Sequence, residues 1–296
     1  MPEEVNGSLL RRHIGRKLLA LREAAGLNKV DVAQELEMGR STLTRMEAGD
    51  NSVRFVKRDV EAILKLYGAS ARDTQLLLAW TAGTRSREKS WWHDYTEPEI
   101  PDWFGLYVAL EDGADTIRHY EPELLSGLLQ TREYAEQVTS VPTGYLESQE
   151  IQRRVSVRME RQSLLTRPRA PHLHVILNEA VLRRPVGGSE VMAAQLRHLL
   201  TQMQQSNVGV QVVPFSAGLH ATSSGFTLLD FPTNEFGEVI EPSLAYVETL
   251  TGALYINKPE GVHVYELTWQ DLMKRALDES ASRELITDVM KGFSGG

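Results

Sequence analysis

Apolar residues in the first 85 positions recur in short blocks with the period of a helix. Ile14, Leu18, Leu21 and Ala25 fall at i, i+4, i+7 and i+11, one face of a first helix. Gly26 follows, where a helix end favours a residue free to take positive φ. Asn28, with Asp31 three residues on, has the form of a capping box and predicts a second helix burying Val32, Ala33 and Leu36. After the turn Glu37-Met38-Gly39 comes "GRSTLTRMEAGD", a third helix with Leu43 and Met46 as its apolar positions. Val56, Val60, Ile63, Leu64 and Tyr67 mark a fourth. Ser70 with Asp73 caps a fifth that ends near Trp80.

Beyond this head the pattern changes twice. Residues 86–101 are polar and broken by Pro98 and Pro101, which predicts a linker whose Trp91 and Trp92 dock by packing. Residues 102–166 read helical, beginning with Trp103, Leu106, Tyr107 and Leu110. From 171 onward, "LHVILN" reads as a strand, Met192, Leu196, Leu199, Leu200 and Met203 as a helix stripe, and "VGVQVVPF" as a second strand. Strand–helix–strand predicts a parallel pair with a right-handed crossover. "GFTLLDF", "SLAYVE" and "GALYIN" are further strands, and two helices close the chain, the first capped by Thr268 with Asp271. The predicted class is a multidomain α+β protein. An all-α five-helix domain at 1–85 precedes a body at 102–296, helical over 102–166 and α/β over 171–296.

On a helical wheel of the third helix, Leu43, Met46 and Glu47 share one side. Arg40, Ser41, Thr44 and Arg45 share the other, with Thr42 at the edge. Two guanidinium forks and two hydroxyls on one outer face suit phosphates and base edges in a major groove. Two short helices joined by a tight turn make the helix-turn-helix arrangement. The net charge of −8 over 296 residues argues against a nucleic-acid partner until it is divided. Residues 1–85 carry 14 basic and 11 acidic side chains, and the remaining residues 18 and 29, so a mildly basic head sits on an acidic body. The chain has no cysteine, which excludes disulfides and thiolate chemistry and fits a cytoplasmic protein. No apolar run is long enough to span a membrane, and the N-terminus has no secretory pattern.

The stretch "LREAAGLNKVDVAQELEMGRSTLTRMEAGDN" resembles the lambda-repressor-like, Xre-type helix-turn-helix family, in spacing as well as residue type. That resemblance implies a homodimer on a double-stranded DNA operator, with Arg40–Ala48 in the major groove. It makes Arg40, Ser41, Thr44 and Arg45 the base-reading candidates, includes Thr42 at the edge of the DNA-binding face, and puts Asn28, Lys29 and Asn51 near phosphates. It also implies a salt bridge between Arg22 and Glu47. Two positions depart from the family pattern. Glu37 stands where Gly is usual, at a cost of about 1–2 kcal/mol if the backbone there is left-handed. Gly39 stands where Ser or Thr usually caps. The body, through "WWHDY", "PDWF", "YEPELLSGLLQTREYA", "LNEAVLRRPVGG", "VQVVPF" and "YVETLTGALY", is similar to the C-terminal region of actinobacterial WhiJ-like regulators. The likeness implies an antitoxin-like pairing with a small acidic protein encoded nearby.

Catalytic motifs are missing: there is no H-E-x-x-H, Walker loop or G-x-S-x-G. His172 and His174 point to one strand face with Glu179 beyond, a conceivable metal set, though ordinary strand histidines are the commoner case. "PVGGSE" beside Arg183 and Arg184 suits either an anion or a plain loop and cap. "QRRVSVRMERQ" reads as a solvated basic helix face, and "EPELLSGLLQTREYA" as either a groove lining or core. The chain is therefore expected to be a DNA-binding transcriptional regulator, not an enzyme, with no cofactor, whose body binds a partner protein or ligand. The alternative is an interaction protein whose head no longer binds DNA.

Overall fold

The computed structural model describes residues 7–294, apart from 51, 85–101, 221, 223, 234–238, 240, 250 and 251. The predicted linker at 86–101, with Trp91 and Trp92, lies outside the described residues, as do Asn51 and the side chain of Trp103. The chain divides into two compact units: residues 1–90 together with 231–241, and the remainder.

The first unit is built from α1 (Gly7–Ala24), α2 (Lys29–Glu35), α3 (Arg40–Ala48), α4 (Lys57–Leu66) and α5 (Ala71–Gly83). Asn28 caps α2, accepting from the backbone N–H groups of Val30 and Asp31 at 2.9 and 3.0 Å. Ser70 caps α5, accepting from Asp73 N–H at 3.0 Å. Ile14, Leu18, Val32, Leu43, Met46, Phe55, Val60, Ile63 and Leu64 form the core. Ala25 departs from the expectation: the helix ends before it, and it is exposed. The tightest packing is between α1 and α3, through glycines. A Cβ on Gly15 would lie 2.4 Å from Met46 O, and one on Gly49 would lie 2.4 Å from Arg12 Cα. Gly49 also takes φ 68° to close α3, so two requirements converge on it. The 231–241 segment contributes the buried Glu241, 3.2 Å from both Arg12 and Arg16 of α1.

The second unit carries α6 (Asp102–Asp112), β1 (Thr116–Glu121), α7 (Arg132–Thr139), α8 (Ser148–Arg161), β2 (His172–Asn178), α9 (Glu179–Arg183), α10 (Ser189–Gln202), β3 (Val208–Val213), β4 (Phe226–Asp230), β5 (Leu244–Thr249), β6 (Gly252–Ile256), α11 (Pro259–Arg275) and α12 (Glu279–Ser294). The strands form one mixed sheet in the order β3-β2-β1-β4-β5-β6. β2 runs parallel to β3, as predicted, and also to β1; β4 is antiparallel to β1 and β5, and β5 to β6. Tyr120, Ile176, Val213, Phe226, Leu228 and Ala245 face Val262, Trp269 and Leu272 of α11 in one core.

Two expectations for this unit need correction. The stretch 102–166 is not all helix: β1 lies within it and sits in the middle of the sheet. Its charge hid it. Arg118 is neutralised by Glu266 at 2.6 Å and Asp230 at 2.8 Å, so a cation sits on a central strand without violating the rule that buried charge is paired. Thr268 caps nothing. It lies within α11, which starts at Pro259, and its hydroxyl donates back to Val264 O at 2.9 Å.

Candidate nucleic-acid interface

The turn between α2 and α3 places the outer face of α3. Glu37 adopts φ 50°, the left-handed conformation that the family pattern reserves for glycine. Met38 N–H reaches back to Ala33 O at 2.9 Å, so the turn closes in spite of the side chain. Gly39 stands at the N-cap in extended conformation and gives no side-chain cap.

On α3, Leu43, Met46 and Glu47 are buried. Arg40, Ser41, Thr42, Thr44 and Arg45 are exposed, and among the described residues neither arginine has an ion-pair partner. The structure thus brings the four base-reading candidates, and Thr42 beside them, onto one accessible helix surface. Asp50 lies just beyond, its carboxyl held below the usual range by the Ser52 hydroxyl and backbone N–H and, more weakly, by Arg45.

Glu47 shows how this face is held. Its carboxylate accepts from Arg22 Nε at 2.6 Å and Nη2 at 3.2 Å, and Tyr67 Oη donates to it at 3.4 Å. Arg22 also donates to Leu27 O at 2.8 Å, pinning the end of α1 to the start of α2. The bond to Glu47 raises the Arg22 guanidinium, and burial next to that carboxylate pushes the Tyr67 phenol up. Lys29 is a second cation on Glu47, at 3.2 Å. Its ammonium, named with the phosphate candidates from sequence, is half-buried and shares this carboxylate. Asn28 spends its side-chain oxygen on the α2 cap.

The body's candidate groups are not brought together. His174 bonds Gln211 at 2.8 Å and is pushed down by burial, while His172 is exposed. Glu179 accepts from Arg183 at 2.7 Å and from Phe215 N–H at 2.8 Å. Among the described residues no group of three His, Asp or Glu has metal-binding geometry. Beside Gly187 and Gly188, Arg183 is paired with Glu179, and Arg184 with Glu123.

Residues 13–77 match a family described as "Helix-turn-helix domain", from within α1 into α5. Residues 104–288 match one described as "Domain of unknown function (DUF5753)". The chain belongs to the DUF5753 family. No curated protein and no solved structure matches it. The DUF5753 region runs from within α6 into α12 and so takes in the whole sheet, with a helix-turn-helix domain placed before it. Among the described residues, no helix is long and apolar enough to cross a membrane.

Proposed function

We propose that this chain is a sequence-specific DNA-binding transcriptional regulator. One observation carries the reading: Arg40, Ser41, Thr44 and Arg45 stand together, exposed, on the second helix of a helix-turn-helix. Arginine forks and hydroxyls are donors for guanine edges and phosphates, and an arginine left without a carboxylate keeps its charge for them. One nine-residue helix is a small interface for discriminating a site. The reading therefore includes a homodimer on two half-sites about 34 Å apart.

The DUF5753 body takes the regulatory role, binding a partner protein or ligand. The likeness of both regions to Xre-type, WhiJ-like regulators supports a small acidic protein as that partner. We assign the body no enzymatic activity, since His174 and Glu179 are engaged in holding the fold.

The test is a mobility shift of the full chain on the DNA upstream of its own gene, with sedimentation of the complex. Two chains on a specific duplex support the reading. A chain that ignores both that duplex and random DNA, yet captures a protein partner, is an interaction regulator instead.

A further inference from the structure

Helix α8 turns arginines inward. Ile151, Val155, Arg158 and Gln162 fall at i, i+4, i+7 and i+11, the stripe that a helix normally fills with apolar side chains. Arg161 is buried beside it, and Arg158 is half-buried. Gly127 makes room for both: a Cβ there would stand 3.1 Å from Arg161 Nη2 and 3.9 Å from Arg158 Cδ.

The charges around this point are matched one by one, except at Arg158. Arg161 Nε lies 2.8 Å from Glu111, which also accepts from Tyr107 Oη at 2.7 Å. His119 lies 3.1 Å from Glu121 and 3.1 Å from Ser126 Oγ. Arg158 donates only to the neutral amide oxygen of Gln130, at 2.8 Å, and among the described residues no carboxylate lies within 4.0 Å of it. Burial, and then the like charge of Arg161, push its guanidinium down to about 10. A half-buried cation beside another cation is costly unless an anion meets it. Two carboxylates act on Arg158 from beyond contact: Glu248, at the exposed end of β5, where it accepts from Tyr246 Oη at 3.5 Å, and Glu121.

We propose that the DUF5753 body has a binding site for a small anion, carrying a carboxylate or phosphate group, at the guanidinium of Arg158. The guanidinium fork fits either group in bidentate fashion. The inference deepens the ligand side of the proposed function, but binding at Arg158 does not depend on the head binding DNA.

The experiment is a melting series of the full chain, without DNA, in sodium phosphate and in sodium acetate, against sodium chloride at equal ionic strength. A saturable rise in Tm is expected with at least one of the two anions, and which one responds identifies the group. The rise should be lost in Arg158→Gln and kept in a control at the exposed Arg169→Gln. Glu248→Gln, at an exposed position, should shift saturation to lower anion concentration by removing a repelling charge. No saturable response in the wild-type chain overturns the proposal. So does an unchanged response in Arg158→Gln, or an unchanged midpoint in Glu248→Gln; the last reading holds even if the arginine variant fails to fold.

Discussion

Helix α3 and the second half of helix α8 each carry a pair of arginines and direct them oppositely. On α3, Arg40 and Arg45 point away from Leu43 and Met46 and meet solvent. On α8, Arg158 and Arg161 fall in with Ile151 and Val155 and enter the body. The residue type is the same; the phase of the neighbouring apolar positions differs. An outward guanidinium is available to a large polyanion, whereas an inward one needs a counter-charge within the fold or a ligand small enough to reach it.

The buried carboxylates on the two sides of this comparison should give the largest effects. Glu111→Ala takes from Arg161 the buried carboxylate 2.8 Å away in the body, and Glu47→Ala takes from Arg22 its two-pronged buried partner in the head. Each should destabilise its own unit by about 3–5 kcal/mol in denaturant unfolding. If either substitution is neutral, the corresponding pair does not organise its unit. Leu43→Ala removes a fully buried side chain beneath the exposed face of α3 and should cost about 2–5 kcal/mol. Its DNA binding should recover at temperatures where the head is folded, which separates support of the helix from contact with DNA. Arg158→Ala should leave salt-dependent duplex affinity unchanged, because its charge is not on the DNA-facing side of the comparison; a lower salt slope would place α8 at the phosphate backbone. The smallest effect belongs to Glu37→Gly. Relief of the left-handed strain, about 1–2 kcal/mol, is partly offset by the greater freedom of glycine in the unfolded chain, about 0.5–1 kcal/mol. A net gain of under about 1 kcal/mol should appear as a slightly raised midpoint.

The head was the more legible region. Its caps, its apolar faces and the inward side of Glu47 follow from spacing, since local hydrogen bonds and helical periodicity decide them. The Gly15–Gly49 approach was not legible, because two residues 34 apart signal nothing by their own type. In the body, the later strands and the stripe of α10 followed from apolar runs. β1 did not, because Arg118, His119 and Glu121 break its alternation; Arg118 is compensated by Asp230 and Glu266, distant in sequence, while His119 meets Glu121 within the strand. The basic run of α8 invited a solvated reading. The spacing of Ile151 and Val155 with Arg158 was the available signal, and it is weak without knowing that Gln130 and Gly127 receive the side chain.

The central claim, that the outer face of α3 reads DNA, is tested most directly by operator and random-duplex affinities of Arg40→Ala and Arg45→Ala over a range of salt concentrations. Arg40 opens the helix and should carry sequence choice, so its loss should cost about 1–3 kcal/mol of preference for the operator and leave random-duplex binding less affected. Arg45 lies further along, and as a phosphate contact its loss should weaken both duplexes alike and lower the salt slope by about one. If both variants bind the operator with wild-type affinity and wild-type salt dependence, the face does not read DNA.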